Sequence, residues 1–312
     1  MSAPTIDAQT RRSTLLGTLA ILLWSTTIAF SRSLTEQLGT LTAPALVYAA
    51  AGLIGLAVLA LRQGGFSALK ELPARYMLGC GALFVIYIVA LYLAVGSAAT
   101  RTQVLAVGLI NYLWPGLSLV FSIPILGRRA KPLLPVGILL ALGGVWLATI
   151  SSNGGGSLQS WIAETGNLLP YALALVAAIC WGLYSNLSRR WAAGNDSGGV
   201  PLFLLASGVV LGLARLFSPE TSHWSMVAAV ELLYMAALPG MLAYVLWDIA
   251  VRKGEIILVA SLSYLTPLLS TFFSTLILSV RPGAALWLAT GLVIVGAVLC
   301  NYSISAEPEP QA

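Results

Sequence analysis

Ten apolar stretches, each long enough to cross a bilayer, run through the chain with short polar interruptions between them. They fall at residues 14–34, 41–62, 75–97, 102–126, 132–151, 167–190, 199–217, 226–250, 255–279 and 284–304. Crossing the hydrocarbon core takes about 20 apolar residues, so ten crossings use about 200. Backbone in lipid must satisfy its own hydrogen bonds, which makes helices of such runs. The pattern predicts an all-α polytopic membrane protein with ten transmembrane helices.

The most linker-like stretch is Ser151-Ser152-Asn153-Gly154-Gly155-Gly156-Ser157. It divides the chain into a tail (1–13), a first five-helix repeat (14–151), a Gly/Ser-rich linker (152–166), a second five-helix repeat (167–304) and a closing tail (305–312). The halves match. Setting Trp24 on Trp181 places Ser31-Arg32 on Ser188-Arg189. Asn111-Tyr112-Leu113-Trp114-Pro115 falls on Ser263-Tyr264-Leu265-Thr266-Pro267, and the register continues through Leu117 with Leu269, Ser118 with Ser270, Phe121 with Phe273 and Ser122 with Ser274. Five helices per half is an odd number, so the second half enters the membrane from the opposite side. Inverted repeats of this kind place a substrate site near the midplane between the halves.

Charge changes the picture next. Only 9% of residues are charged against 58% hydrophobic, which leaves no water-exposed surface for a soluble domain. The net charge of +5 sits in short flanks between apolar runs, where it reports membrane orientation rather than nucleic-acid binding. With the N-terminus inside, twelve Lys and Arg residues fall on cytoplasmic flanks, among them Arg128, Arg129, Arg189 and Arg190, and four (Arg32, Arg101, Arg215, Arg281) on outer ones. The expected topology is therefore N-in and C-in. Thr10-Arg11-Arg12-Ser13-Thr14 loosely resembles a twin-arginine signal, but nine further runs follow it, and an uncleaved first helix is the reading. Cys80, Cys180 and Cys300 lie inside apolar runs without metal-ligand spacing. His223, the sole histidine, lies in a loop, and no GxSxG or HExxH occurs, so neither an enzyme nor a metal or cofactor site is expected.

Two constellations remain. Pro115 and Pro267 fall about midway along their runs, where proline frees the carbonyl four residues earlier. Those carbonyls belong to Asn111 and Ser263, so the prolines are candidate hinges beside bare acceptors; packing alone is the alternative. Aromatic residues form the second. Tyr48, Tyr76, Trp161, Tyr171, Trp191, Trp224, Trp287 and Tyr302 lie near run ends and fit an interfacial belt. Tyr92, Tyr112, Trp114, Trp181, Tyr184, Tyr244, Trp247 and Tyr264 lie deeper. Trp181, Tyr184, Ser185 and Ser188 share one helical face, which reads as a cavity wall or as a packing seam. Asp248 and Glu231 are the acids within runs, and no Lys or Arg lies near a midplane, so the cavity is expected to be neutral. Asp248 is expected to pair with a nearby base. Small-residue pairs such as Ala51 with Gly55, Gly137 with Ala141 and Gly208 with Gly212 read as close helix packing.

These features together resemble the drug/metabolite transporter superfamily in its EamA-type branch. Asn111-Tyr112-Leu113-Trp114-Pro115 and Trp181 are similar to the YddG-type aromatic amino-acid exporters of bacterial inner membranes. The resemblance implies export of Phe, Tyr and Trp, with other amino acids or aromatic compounds as further cargo, through a central cavity. Its expected wall is Trp181, Tyr112, Trp114, Asn111, Tyr92, Tyr184, Tyr264 and Ser263. A net-neutral zwitterion suits such a cavity: its ring stacks on Trp181, Trp114 or Tyr112, its ammonium meets the freed carbonyls or a Trp face, and Asn111 bonds its carboxylate. The alternatives are a multidrug or metabolite exporter for aromatic cations on the same fold, or a membrane sensor without transport. The expected partners are the small-molecule substrate and the lipid bilayer; the oligomeric state stays open and is compatible with a monomer.

Overall fold

The computed structural model describes residues 8–61, 65–152, 168–192, 198–253, 263 and 265–305. Residues 1–7, 153–166 and 306–312 of the tails and linker lie outside them, as do Trp161 and Tyr264. Ten helical spans follow the ten apolar runs. Span 1 is Ala8–Trp24 continued by Thr27–Leu38, span 2 is Thr42–Ala60, span 3 is Tyr76–Ser97, span 4 is Arg101–Asn111 continued by Trp114–Leu126, and span 5 is Leu134–Ser152. Span 6 is Leu169–Ala192, span 7 is Val200–Leu216, span 8 is Met226–Ala250, span 9 is Thr266–Ile277 among the described residues, and span 10 is Ala284–Tyr302. Seven of these helices are long and apolar enough to cross a membrane, and Leu134–Ala148, Val200–Leu216 and Thr266–Ile277 are shorter apolar helices.

The spans pack as a pseudo-two-fold assembly. Span 2 lies along span 7 and span 5 along span 10, so each of these four packs on its own counterpart; span 1 lies along span 8, as span 3 lies along span 6. The self-pairings are made by glycine. A Cβ on Gly52 would come within 2.5 Å of the Leu205 backbone, and one on Gly208 would collide with the backbone of Ala49. In the other seam a Cβ on Gly137 would lie 2.7 Å from the Gly296 carbonyl, and one on Gly144 would lie 2.7 Å from the Ala289 carbonyl. In lipid, where apolar contact alone gives little preference for protein over solvent, this backbone approach is what holds two helices together. A two-residue antiparallel pair, Arg129–Ala130 with Ile304–Ser305, joins the start of span 5 to the end of span 10.

The backbone departs from straight helix at definite places. In span 1, Ser25 Oγ donates to the Ile21 carbonyl at 2.9 Å and Thr26 Oγ1 to the Leu23 carbonyl at 2.8 Å. The same carbonyls also accept from the Ser25 and Thr26 N–H groups, the second in a tighter i to i−3 turn, and the helix ends at Trp24 and restarts at Thr27. Span 4 breaks at Tyr112–Leu113 rather than bending within a continuous helix, and Pro115 occupies the first turn of its second segment, where a missing N–H costs nothing. Pro267 has the same place in the segment Thr266–Ile277. Spans 3 and 8 each contain a wider π turn, Tyr76–Cys80 and Ala236–Leu242, the latter around Pro239.

Three residues assigned to the interfacial belt are interior instead. Tyr48, Tyr76 and Tyr171 are 1%, 0% and 7% exposed. Tyr48 meets Tyr92 edge to face with ring centroids 5.4 Å apart, and the Tyr76 hydroxyl accepts from the Gly199 N–H at 3.1 Å. Proximity to a run end does not say which face a ring occupies, and these faces are turned to the bundle.

Candidate functional site

At the centre of the bundle lies an aromatic cluster built on the matched tryptophans. Trp24 and Trp181 meet edge to face at 5.4 Å, so two residues equivalent by repeat touch each other on the pseudo-two-fold axis. Tyr244 packs on Trp24 with centroids 4.9 Å apart, as Tyr87 packs on Trp181 at 4.8 Å. The scaffold around the axis is thus symmetric in its rings. Beyond it the symmetry lapses: Trp114 stands edge to face with both Trp181 (6.4 Å) and Trp247 (5.1 Å), while its counterpart Thr266 presents a hydroxyl. Such ring pairs each contribute about 0.5–1.5 kcal/mol beyond burial.

Two hydrogen-bond sets hold the cluster. The Trp24 indole N–H donates to the Pro239 carbonyl at 3.2 Å, tying the end of the first segment of span 1 to the π turn of span 8. Asn186 donates to the Ser118 carbonyl at 2.8 Å and to its own helix at the Gly182 carbonyl at 2.9 Å, fixing span 6 against the second segment of span 4.

Between the rings is a cavity of ≈ 20 Å³, room for about one water-sized group. Of the residues expected to wall the site, Trp181, Tyr112, Trp114 and Asn111 line it. Tyr184 stacks on Trp181 from behind, with planes 24° apart. Tyr92 packs on Tyr48 away from the cavity, and Ser263 is buried without lining it. Tyr264 lies outside the described residues. The sequence reading omitted Trp24, Thr27, Ile28, Tyr87, Leu91, Tyr244 and Thr266, which complete the wall. Two signals for them were present: Trp24 matches Trp181, and Thr27 directly follows the hydroxyl pair at the break in span 1. Among the described residues that line the cavity there is no charged side chain. Asp248 is buried away from it, its carboxylate against Gly198.

At the end of the bundle that carries the span 1–2 turn, two acids tie the halves together directly and a third does so through an arginine. Glu36 pairs with Arg32 at 2.7 Å and with Arg101, whose guanidinium also donates to the Leu278 carbonyl in the second half. Glu220 accepts from the Leu41 and Thr42 N–H groups at 2.9 and 3.0 Å and lies 3.5 Å from Arg215. Glu231 accepts from Ser33 and Gln37. Polar contacts between the halves therefore bridge this end of the bundle.

Comparison with known proteins agrees with this architecture. The EamA-like transporter family matches at residues 11–150 and again at 168–302, once in each half. The chain is 32% identical to the aromatic amino acid exporter YddG of Salmonella typhimurium, covering 93% of this chain and 97% of that protein. It is 31% identical to the Escherichia coli protein of the same name (93% and 97%) and 32% identical to that of Ancylobacter novellus (93% and 96%). A solved structure 29% identical in sequence superimposes with a TM-score of 0.69 over 93% of this chain and 96% of that one.

Proposed function

We propose a function from one premise: the chain belongs to the EamA-like transporter family. Its work is to export aromatic amino acids across a bacterial inner membrane by alternating access, with no chemical step on the cargo. One observation carries the reading: a chain that matches named aromatic amino acid exporters over almost its whole length walls its central cavity with indole and phenol rings and uncharged polar groups. An amino-acid zwitterion has no net charge to neutralise, and a flat ring gains from edge-to-face contact with Trp24, Trp114 and Trp181. A cargo with fixed net charge, such as a phosphate ester, would call for cations at this depth.

The excess of Lys and Arg on one set of loops puts both termini in the cytoplasm. The Glu36 end then faces outward, with its contacts between the halves on that side. Export requires the Arg101–Leu278, Glu220 and Glu231 contacts between the halves to part while the glycine seams persist, so that spans 1, 3, 4, 6, 8 and 9 rearrange around a fixed frame.

The test is accumulation of radiolabelled tryptophan in proteoliposomes containing the purified protein. Unlabelled phenylalanine and tyrosine should compete, and lysine should not. Competition by methyl viologen with none by phenylalanine would replace this reading with that of an aromatic-cation exporter.

A further inference from the structure

The break in span 4 has a second effect, on the side away from the axis. Before Tyr112–Leu113 the span lies along spans 5 and 6; after it, the second segment lies along span 6 and reaches span 10 instead. Where it has parted from span 5 a cavity of ≈ 170 Å³ opens, walled by Leu117 and Val120 of span 4, Ile138 and Leu142 of span 5, and Val293 and Ala297 of span 10. Gly116 deepens it, because a Cβ there would meet nothing within 4 Å. Leu142 in its wall and Leu139 beside it are 50% and 68% exposed, so the cavity is a groove on a face turned to lipid.

Chemistry and length say what fills the groove. Among the described residues that line it, Tyr112 and Cys300 alone carry a polar side-chain atom, so water gains few bonds there and a zwitterion would leave its charges unpaired. A hydrocarbon chain gives up nothing by entering, and it restores the dispersion contacts that an empty gap forfeits. From Tyr112, midway along its run, to Val120 the groove follows about 12 Å of helix rise, against about 15 Å for the hydrocarbon of one leaflet. The far end is basic. Arg128, Arg129 and Lys131 stand on the loop between spans 4 and 5, and that loop is pinned over the end of span 10: Arg129–Ala130 pairs with Ile304–Ser305, and the Lys131 N–H donates to the carbonyl of Ser303, one turn past Cys300, at 2.7 Å. Cations at such a mouth attract anionic headgroups. We propose that the groove between spans 4, 5 and 10 binds an anionic phospholipid, one acyl chain lying along Gly116 up to Tyr112 and the phosphate resting on the loop of Arg128, Arg129 and Lys131. In the orientation argued above it is a lipid of the cytoplasmic leaflet. Tyr112 lines both this groove and the central cavity, so the end of the chain meets a residue that walls the cavity from its other side.

The experiment is native mass spectrometry of the purified protein in detergent, titrated with dioleoylphosphatidylglycerol, dioleoylphosphatidylcholine and, as a headgroup without chains, glycerophosphoglycerol. One phosphatidylglycerol should stay bound per protein, about tenfold more tightly than phosphatidylcholine, and glycerophosphoglycerol should not bind. Gly116→Leu puts a side chain into the groove and should weaken phosphatidylglycerol at least about fivefold with the melting temperature unchanged. Val120→Phe, which fills the groove farther along, should act alike. Gly291→Leu also adds a side chain to open space, but outside the groove, and should leave lipid binding as it is. Arg129→Gln and Lys131→Gln should each weaken phosphatidylglycerol about fivefold and leave phosphatidylcholine unmoved. Equal binding of the two lipids, or wild-type binding in both groove-filling variants, or an equal loss in Gly291→Leu, means ordinary bilayer lipid and overturns the site. Glycerophosphoglycerol bound as tightly as the lipid means a site for free phosphate, and overturns the acyl-chain assignment.

Discussion

Spans 1 and 6 occupy equivalent places in the two halves and carry matched tryptophans, yet one is broken and the other runs unbroken from Leu169 to Ala192. The same divergence recurs beside the axis, where Trp114 of span 4 answers to Thr266 of span 9. The rings that touch across the axis are kept in both halves, whereas the residues around the cavity differ. Symmetry supplies the frame and its violation supplies the site. A strictly two-fold cavity would offer every group twice, which suits a two-fold ligand; an amino acid has a head and a ring, and only an asymmetric wall can treat them differently.

The largest effect should come from breaking the symmetric part. Trp181 is 2% exposed and touches several rings, so Trp181→Ala should cost about 3–5 kcal/mol of stability as well as at least tenfold in tryptophan transport. Trp24→Ala should match it, and Trp181→Phe should retain most of the activity. A thermal unfolding scan with a proteoliposome assay checks all three, and a tenfold difference between the two alanine variants would show that the axis pair is not shared equally.

Second in size are the matched prolines. Each sits in the first turn of a segment, so alanine restores an N–H and lets the preceding break close into continuous helix at little cost to folding. Pro115→Ala and Pro267→Ala should give stable, inserted protein with transport reduced about threefold to tenfold, because a straightened span biases the two access states. Wild-type transport in both would return the prolines to simple packing.

The smallest effect concerns the ties at one end. Glu36→Gln weakens the pairing of Arg32 and Arg101 without removing the side chain, and partly exposed pairs of this kind contribute about 1 kcal/mol or less. In a background lacking the native cysteines, Ile28→Cys should then react about two to five times faster with an impermeant maleimide added outside, in line with that free energy. Faster reaction only when the reagent is inside would reverse the orientation proposed for the chain.

The ten spans were legible because a bilayer exposes each helix to the same solvent, so length and apolarity suffice. Packing partners were partly legible as well: Gly137 and Gly208 announced close approach, and both meet backbone. The site was harder. Trp24 served as a marker of repetition, though the very match that made it useful places it against Trp181. Thr266 stands in the matched motif without a ring, so nothing in the sequence marked it, yet it lines the cavity beside Trp114. Tyr48 and Tyr76 were placed at the membrane surface from their positions along the chain, which say nothing about azimuth. Tyr87 gave no sign at all, since one phenol in an apolar run looks the same whether it faces a cavity or a neighbouring helix.

The glycine seams carry a consequence of another kind. Span 2 against span 7 and span 5 against span 10 are contacts between an element and its own duplicate, the geometry of an isologous dimer, in which one surface is both donor and recipient of the fit. A single five-helix chain inserted in both orientations would already carry both seams complete. Gene fusion then adds only a tether, and what it frees is the requirement that the two copies remain identical, so that one can drift towards threonine where the other keeps tryptophan.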